Sequence, residues 1–407
     1  MAAEARQRVA TIERPTKRDE AWRYAPHAKL AQLTFGAPTA PPPVPNDVER
    51  QIPVVDGPTI VIVNGVVDPT RSRLDGLAPG LDVSSLAEVA ARAPEWLDAH
   101  FTTVIDDAFA AANIAFGTDG AVITVADDHQ LVSPLHVVDI SLPGETPNTS
   151  CTGVVIHLGA SSSATVVETR IGGSGTGATA STITGGSNTR TSITLGPNAT
   201  LEHIVLQDLP RSQIQLGAVV VSQAEGSGFL GRSFNIGAGY GRLAYRVELV
   251  GEGAQLELSG LFFGRGEQVL DQQIDVIHAA KDCASTQSFR GVLDDDSVGV
   301  FNGGIDVRPG ADGTDAAQSN SNLVLSNRAE INTQPRLEIL ADDVACKHGA
   351  TVGQLDETAL YYLRSRGIPA PEARRLLIDA FADQTLESVS IESIRGWVIQ
   401  RLGHTDG

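Results

Sequence analysis

Apolar and polar positions change period twice along the chain, and the changes divide it into three. Between about residues 118 and 340 the chain reads as short alternating segments punctuated by Gly, Asn, Ser and Asp, with no helical period. Strand side chains alternate between faces, so this pattern predicts β-strands joined by tight turns. One cassette recurs. Ile193-x-Leu195-x-x-x-Ala199-x-Leu201 has the spacing of Leu323-x-Leu325-x-x-x-Ala329-x-Ile331, with looser copies at Ile156/Leu158/Ala164/Val166 and Val247/Leu249/Ala254/Leu256/Leu258. Each predicts strand, turn with a small residue, strand, with Leu195, Leu201, Leu325 and Ile331 pointing inward. Such units cannot bury their faces singly and must stack, which is the logic of a β-solenoid or β-helix. The uneven spacing keeps a sandwich or barrel as the alternative.

The flanks differ. Residues 1–117 form a mixed region. A polar, helical start leads to Trp22 and Tyr24, and an extended connector runs from Pro38 to Pro45. Thr59 to Val67 is β-rich and broken by Asn64-Gly65, a strong hairpin signal. From Ser84 the spacing turns helical, with serine caps, and Pro94 restarts the helix. After the core, taken as 118–345, residues 346–407 read as three amphipathic helices. Leu355, Ala359, Leu360 and Leu363 share one face before a stop at Gly367. Ala373, Leu376, Leu377, Ala380 and Phe381 form a second stripe after Pro371, and Ile391, Ile394, Val398 and Leu402 a third. They suit either a cap on the solenoid or a docking surface.

Composition narrows the function. The chain is 42% hydrophobic but only 5% aromatic, so its core is built from aliphatic layers. Its 49 acidic and 30 basic side chains give a net charge of -19, which argues against nucleic acid and anionic lipid as partners. No run reaches the ~18 apolar residues of a membrane span. The opening residues do not read as a signal peptide, and the three cysteines show no disulfide framework, so a reducing, cytoplasmic setting is expected.

Motif chemistry is sparse. No P-loop, nucleophile elbow or zinc motif is present. Gly173, Gly175 and Gly177 read as a loop, and Gly237, Gly239 and Gly241 as a turn. Asp294, Asp295 and Asp296 read as a solvated loop, or as the divalent-cation site of a carbohydrate-active β-helix enzyme, which the scarcity of aromatics disfavours. Cys346-Lys347-His348 is the most suggestive feature. In an extended segment Cys346 and His348 point the same way, and thiolate and imidazole are ligands for iron and sulfur-bridged clusters. Two ligands are too few for a metal, however, and the residues by themselves read first as a structural cysteine beside an incidental histidine.

The block LEILADDVACKHGATVGQLDETALYYLRSRGIPAPEARRLLIDAFA, Leu337 to Ala382, resembles the C-terminal signature of the SufB/SufD family of iron–sulfur cluster assembly scaffolds. SVGVFNGGIDV (Ser297 to Val307), QSNSNLVLS (Gln318 to Ser326), TIVIVNGVVDP and RDEAWRYAP (Arg18 to Pro26) are similar to that family as well. His348-Gly349-Ala350-Thr351 and the Arg18–Pro26 stretch resemble its SufD branch. The resemblance implies a right-handed parallel β-helix with helical ends and a non-catalytic scaffold role. It implies a SufB-type paralogue and a SufC-type ATPase as partners, with self-pairing as a homodimer open in isolation. His348 would then be a ligand to a transient interfacial iron–sulfur cluster, and Cys346 a less certain one. A purely structural partner without cluster ligands is the competing reading.

Overall fold

The computed structural model describes residue 9 and residues 11–36, 42–101, 107–144, 147–175 and 182–403. The extreme N-terminus, residues 38–41 of the proline run and Gly177 lie outside the described residues. From Gly120 to Gly353 every regular element among them is a strand, and the strands alternate between two sheets. The first sheet takes Leu135–Ser141, Ser163–Gly172, Thr200–Asp208, Gly228–Asn235, Gln255–Gly264, Ala284–Leu293, Thr314–Val324 and Val344–Gly353. The second takes Gly120–Val125, Asn148–Leu158, Gly185–Leu195, Gln213–Gln223, Tyr240–Leu249, Val269–His278, Val298–Val307 and Glu330–Ile339. Within each sheet these strands pair in parallel with the strand one turn away. The result is a β-solenoid of about 8 turns.

Stacking places equivalent residues in columns. Leu158, Leu195, Gln223, Leu249, His278, Val307 and Ile339 are register partners, turn on turn, along the inside of the second sheet. Across the bore, Ala164, Leu201, Phe229, Leu256, Ser285, Ala316 and Cys346 form the matching column in the first. The corner between them reverses through left-handed residues, among them Asp128, Ser161, Asn198 and Asp282, which explains the polar punctuation.

The cassette reading holds at that corner, where Ile193, Leu195, Ala199 and Leu201 are buried. It fails in part at its second copy, which lies at the opposite corner. There Ile331 faces inward against Phe262, Leu270 and Leu293, but Leu325 does not. Leu323 is the register partner of Val292, on the outer face of the sheet. Leu325 continues on that face, under the helix Ala370–Leu386, whose Arg374 Nη2 donates to the Leu325 carbonyl at 3.1 Å. The two copies share spacing but sit at corners of opposite direction, so the positions before the corner point opposite ways while Leu201 and Ile331 after it both point inward.

The N-terminal region joins the same hydrogen-bonding system. Thr59–Val63 extends the first sheet beside Leu135–Ser141 and turns back through Asn64 (φ 49°) and Gly65 (φ 81°) to Val66–Val67, the left-handed pair that an Asn-Gly hairpin needs. Leu81–Ser85 extends the second sheet. Ser85 caps the helix Leu86–Arg92 in a reciprocal box with Glu88, and Pro94 opens the helix Pro94–His100. Trp22 is buried beneath the Arg242 guanidinium, 3.8 Å from its ring centre.

Of the three C-terminal helices, two are committed to the solenoid. Ala370–Leu386 and Glu392–Gly403 lay Ile378, Ala382, Leu386, Ile394, Trp397, Val398 and Leu402 on the apolar outer face of the first sheet. The third-helix stripe is as the spacing predicts. On Ala370–Leu386 the buried line is Ala373, Ile378, Ala382 and Leu386, while Leu376 and Ala380 are exposed. The helix carries apolar residues on two adjacent stripes, and the sheet takes the i, i+4 line of Ile378, Ala382 and Leu386, with Phe381 half-buried beside it. The helix Glu357–Ser365 buries none of its residues, and Tyr361 and Tyr362 are 73% and 56% exposed.

A candidate site at the open end of the solenoid

Among the described residues, Val344–Gly353 is the last strand of the first sheet and Glu330–Ile339 the last of the second, each hydrogen-bonded to a neighbouring strand on one side only. A strand edge of this kind presents unpaired N–H and C=O groups to a further strand. Cys346 and His348 lie on this terminal strand, opposite Ala316 and Gln318, and Lys347 lies opposite Ala317. Ala316 and Gln318 are on the buried, inward side of their strand. Register partners in a parallel ladder share a face, so Cys346 and His348 both stand at the mouth of the bore and Lys347 on the outside.

The two are not equivalent. Cys346 ends a core column and is half-buried against a cluster that includes Ile305, Val307, Ala311 and Ala316. Burial, then the nearby Asp315 charge, raises its thiol above the ordinary range, so in the isolated chain it is protonated at neutral pH. His348 is exposed. Its column runs back through Gln318, Gln287, Leu258, Gly231 and His203. Among the described residues no group of three or more His, Cys, Asp and Glu is arranged to hold a metal ion. Cys151 and Cys283 do not join the pair. Cys151 is buried near the Ala112 carbonyl, and Cys283 packs in the core against the Gly251 carbonyl at 3.3 Å. The Asp294–Asp296 run is a turn whose carboxylates are already engaged. Asp294 pairs with Arg374, Asp296 with Arg328, and Asp295 accepts from the Gly266 N–H at 2.8 Å. That is the solvated-loop reading.

Pattern reading missed a second polar centre, deep in the bore. Glu168 accepts from Arg170 (2.8 Å), Thr191 (2.7 Å) and His203 Nε2 (2.8 Å), all buried. Burial alone would raise this carboxyl, but Arg170 and His203 outweigh it and hold it below the ordinary carboxylate range. The signal was available: Val166-x-Glu168-x-Arg170 puts two charges on the inward phase of a strand. Nearby Asp139 accepts from Ser187 (2.9 Å) and Thr152 (3.2 Å), and burial pushes it up to about 6 against those bonds. A carboxyl raised above its unfolded value of about 3.9 keeps its proton longer when folded, so its contribution to stability falls as pH rises from about 4 to about 6. Asp139→Asn is expected to flatten that part of the urea-stability profile and to leave stability at neutral pH unchanged or higher. A lower urea midpoint at neutral pH would contradict this.

Family models match both parts of the chain. Residues 142–381 match the SUF system FeS cluster assembly, SufBD core domain, and residues 1–137 the SufBD protein N-terminal region. An iron–sulfur cluster assembly SufBD family protein of Synechocystis sp. is 30% identical over 395 residues, covering 95% of this chain and 86% of the relative. The iron–sulfur cluster assembly protein SufD of Escherichia coli is 29% identical over 391 residues, covering 96% and 88%. SufD of Bacillus subtilis is 36% identical over 149 residues, 37% of this chain and 34% of that protein. Open-ended solenoid, helical flank and sequence agree: the chain belongs to the SufBD family of iron–sulfur cluster assembly proteins.

Proposed function

We propose that this chain is a non-catalytic scaffold subunit, acting in the cytoplasm, that completes a cluster-building site together with a SufB-type paralogue and docks a SufC-type ATPase. The observation that carries the reading is the open end of the solenoid. Two candidate ligands, the Cys346 thiol and the His348 imidazole, face the mouth of the bore on a strand with one free edge, with no third ligand arranged among the described residues. A cluster there, as cargo, needs further ligands from a second chain, and the free strand edge suits a second solenoid end. A SufB-type chain is the preferred occupant, and a second copy of this chain is the one expected in isolation.

ATPase docking is assigned to the helix Glu357–Ser365 and its exposed Tyr361 and Tyr362. The other two helices are occupied by the sheet, and large exposed aromatics are the residues most often decisive at protein interfaces. Tyr361→Ala with Tyr362→Ala is expected to weaken co-purification of the ATPase at least tenfold (on the order of 1.4 kcal/mol) with an unchanged urea midpoint. Full retention of the ATPase would move the docking surface elsewhere. The competing reading is a structural partner without cluster ligands, and it is separated by substitution at His348.

A further inference from the structure

We propose that Gln318 is a positioning residue for His348: its side-chain carbonyl accepts a hydrogen bond from one imidazole N–H, fixing the ring's tautomer so that the other nitrogen presents its lone pair at the mouth. The use of that lone pair as a ligand rests on the function proposed above; the contact itself does not.

Gln287, Gln318 and His348 are successive register partners on the inward side of the first sheet, so their backbones lie about one strand spacing apart, ~4.8 Å. Gln318 is 4% exposed. Its Nε2 donates to Gln287 Oε1 at 2.8 Å, which turns the amide nitrogen toward the preceding turn. Its Oε1 is buried and has no hydrogen-bond partner among the described residues. In a ladder of stacked amides, the nitrogen engages one neighbour and the oxygen faces the next. Here the next member is His348. An unpaired buried carbonyl costs ~1–3 kcal/mol, and the exposed His348 is free to change rotamer and satisfy it.

A second observation fixes Gln318 from the opposite wall. A Cβ on Gly303 would stand 2.3 Å from Gln318 Nε2 and 2.8 Å from its Cδ. Gln318 therefore reaches across the bore into space that only glycine leaves open. Gly303 and Gln318 belong to two separate sequence motifs, SVGVFNGGIDV and QSNSNLVLS, which the solenoid brings together one turn beneath His348. Histidines that ligate metals commonly donate their other N–H to a carbonyl or carboxylate, which sets the tautomer.

The test is long-range proton–nitrogen NMR of the full chain labelled with ¹⁵N-histidine, at about pH 8, where a histidine of ordinary pKa is neutral. His348→Ala identifies the signal. The wild type and Gln318→Glu, which keeps an acceptor, are expected to hold His348 in one tautomer. Gln318→Leu is expected to release it to the mixture of a free imidazole, and Gly303→Ala, by displacing Gln318, to do the same. A free-imidazole mixture in the wild type, or a single tautomer that survives Gln318→Leu, overturns the proposal. In the partner complex, iron retention should also fall ~10–100-fold with Gln318→Leu. If the tautomer is released while iron retention is unchanged, the hydrogen bond stands and it is the ligand role of His348 that fails.

Discussion

Replacing His348 by alanine is expected to remove most cluster formation while leaving the chain folded and able to join its partners. His348 is exposed on a terminal strand and no core cluster includes it, and substitutions at such positions change stability by only about 0.5 kcal/mol. The chemical loss is of another size. Removing even an outer-shell partner of a metal ligand costs ~10–100-fold in affinity, so losing the ligand itself should cost at least ~10-fold. Cys346→Ala is the informative contrast. Its thiol is held protonated by burial and by Asp315, so it must lose a proton before it can bind iron, and its removal should matter less. Complementation of a strain lacking this chain, with iron and labile sulfide measured in the purified complex, reads both effects. Wild-type cluster content in His348→Ala would end the ligand role and leave the structural reading in place.

The sequence carried the periodicities well and the directions less well. Alternation from about residue 118 onward identified strands, and small residues at the corners identified stacking, because both depend on local rules. Which side a strand turns inward depends on the corner it has just passed. That is why Leu195 was placed correctly and Leu325 was not, at the same position of the same cassette. On Ala370–Leu386 two apolar stripes compete, and only the facing sheet decides for Ile378 and Ala382 over Leu376 and Ala380. The pairing of Cys346 with His348 was legible because residues two apart on a strand share a face. The Gln287–Gln318–His348 column was not, since its members come from three separate strands and meet only through register.

The helical C-terminus illustrates how far packing alters a functional reading. Spacing alone allowed the three helices of residues 346–407 to be either a cap on the solenoid or a docking surface. The structure divides them. Beneath Ala370–Leu386 and Glu392–Gly403 lies an outer face bearing Ile204, Leu206, Phe234, Leu261, Phe263, Val292 and Leu323, all buried. Uncovering so wide an apolar face on a parallel sheet invites aggregation. Truncation at residue 369 is therefore expected to yield insoluble protein rather than a soluble chain that merely lacks a partner site. A single substitution measures the same layer. Trp397 is buried, its Nε1 donates to the Gln51 carbonyl at 2.7 Å, and Arg401 stacks 3.6 Å from its ring centre, so it ties the last helix to the N-terminal region as well as to the sheet. Trp397→Ala should lower the unfolding free energy by ~3–5 kcal/mol, read as a drop in the urea midpoint, whereas Tyr361→Ala should leave that midpoint in place. A truncated chain that stays soluble with the wild-type midpoint would show that the two helices are passengers on the sheet, and would return them to the pool of candidate docking surfaces.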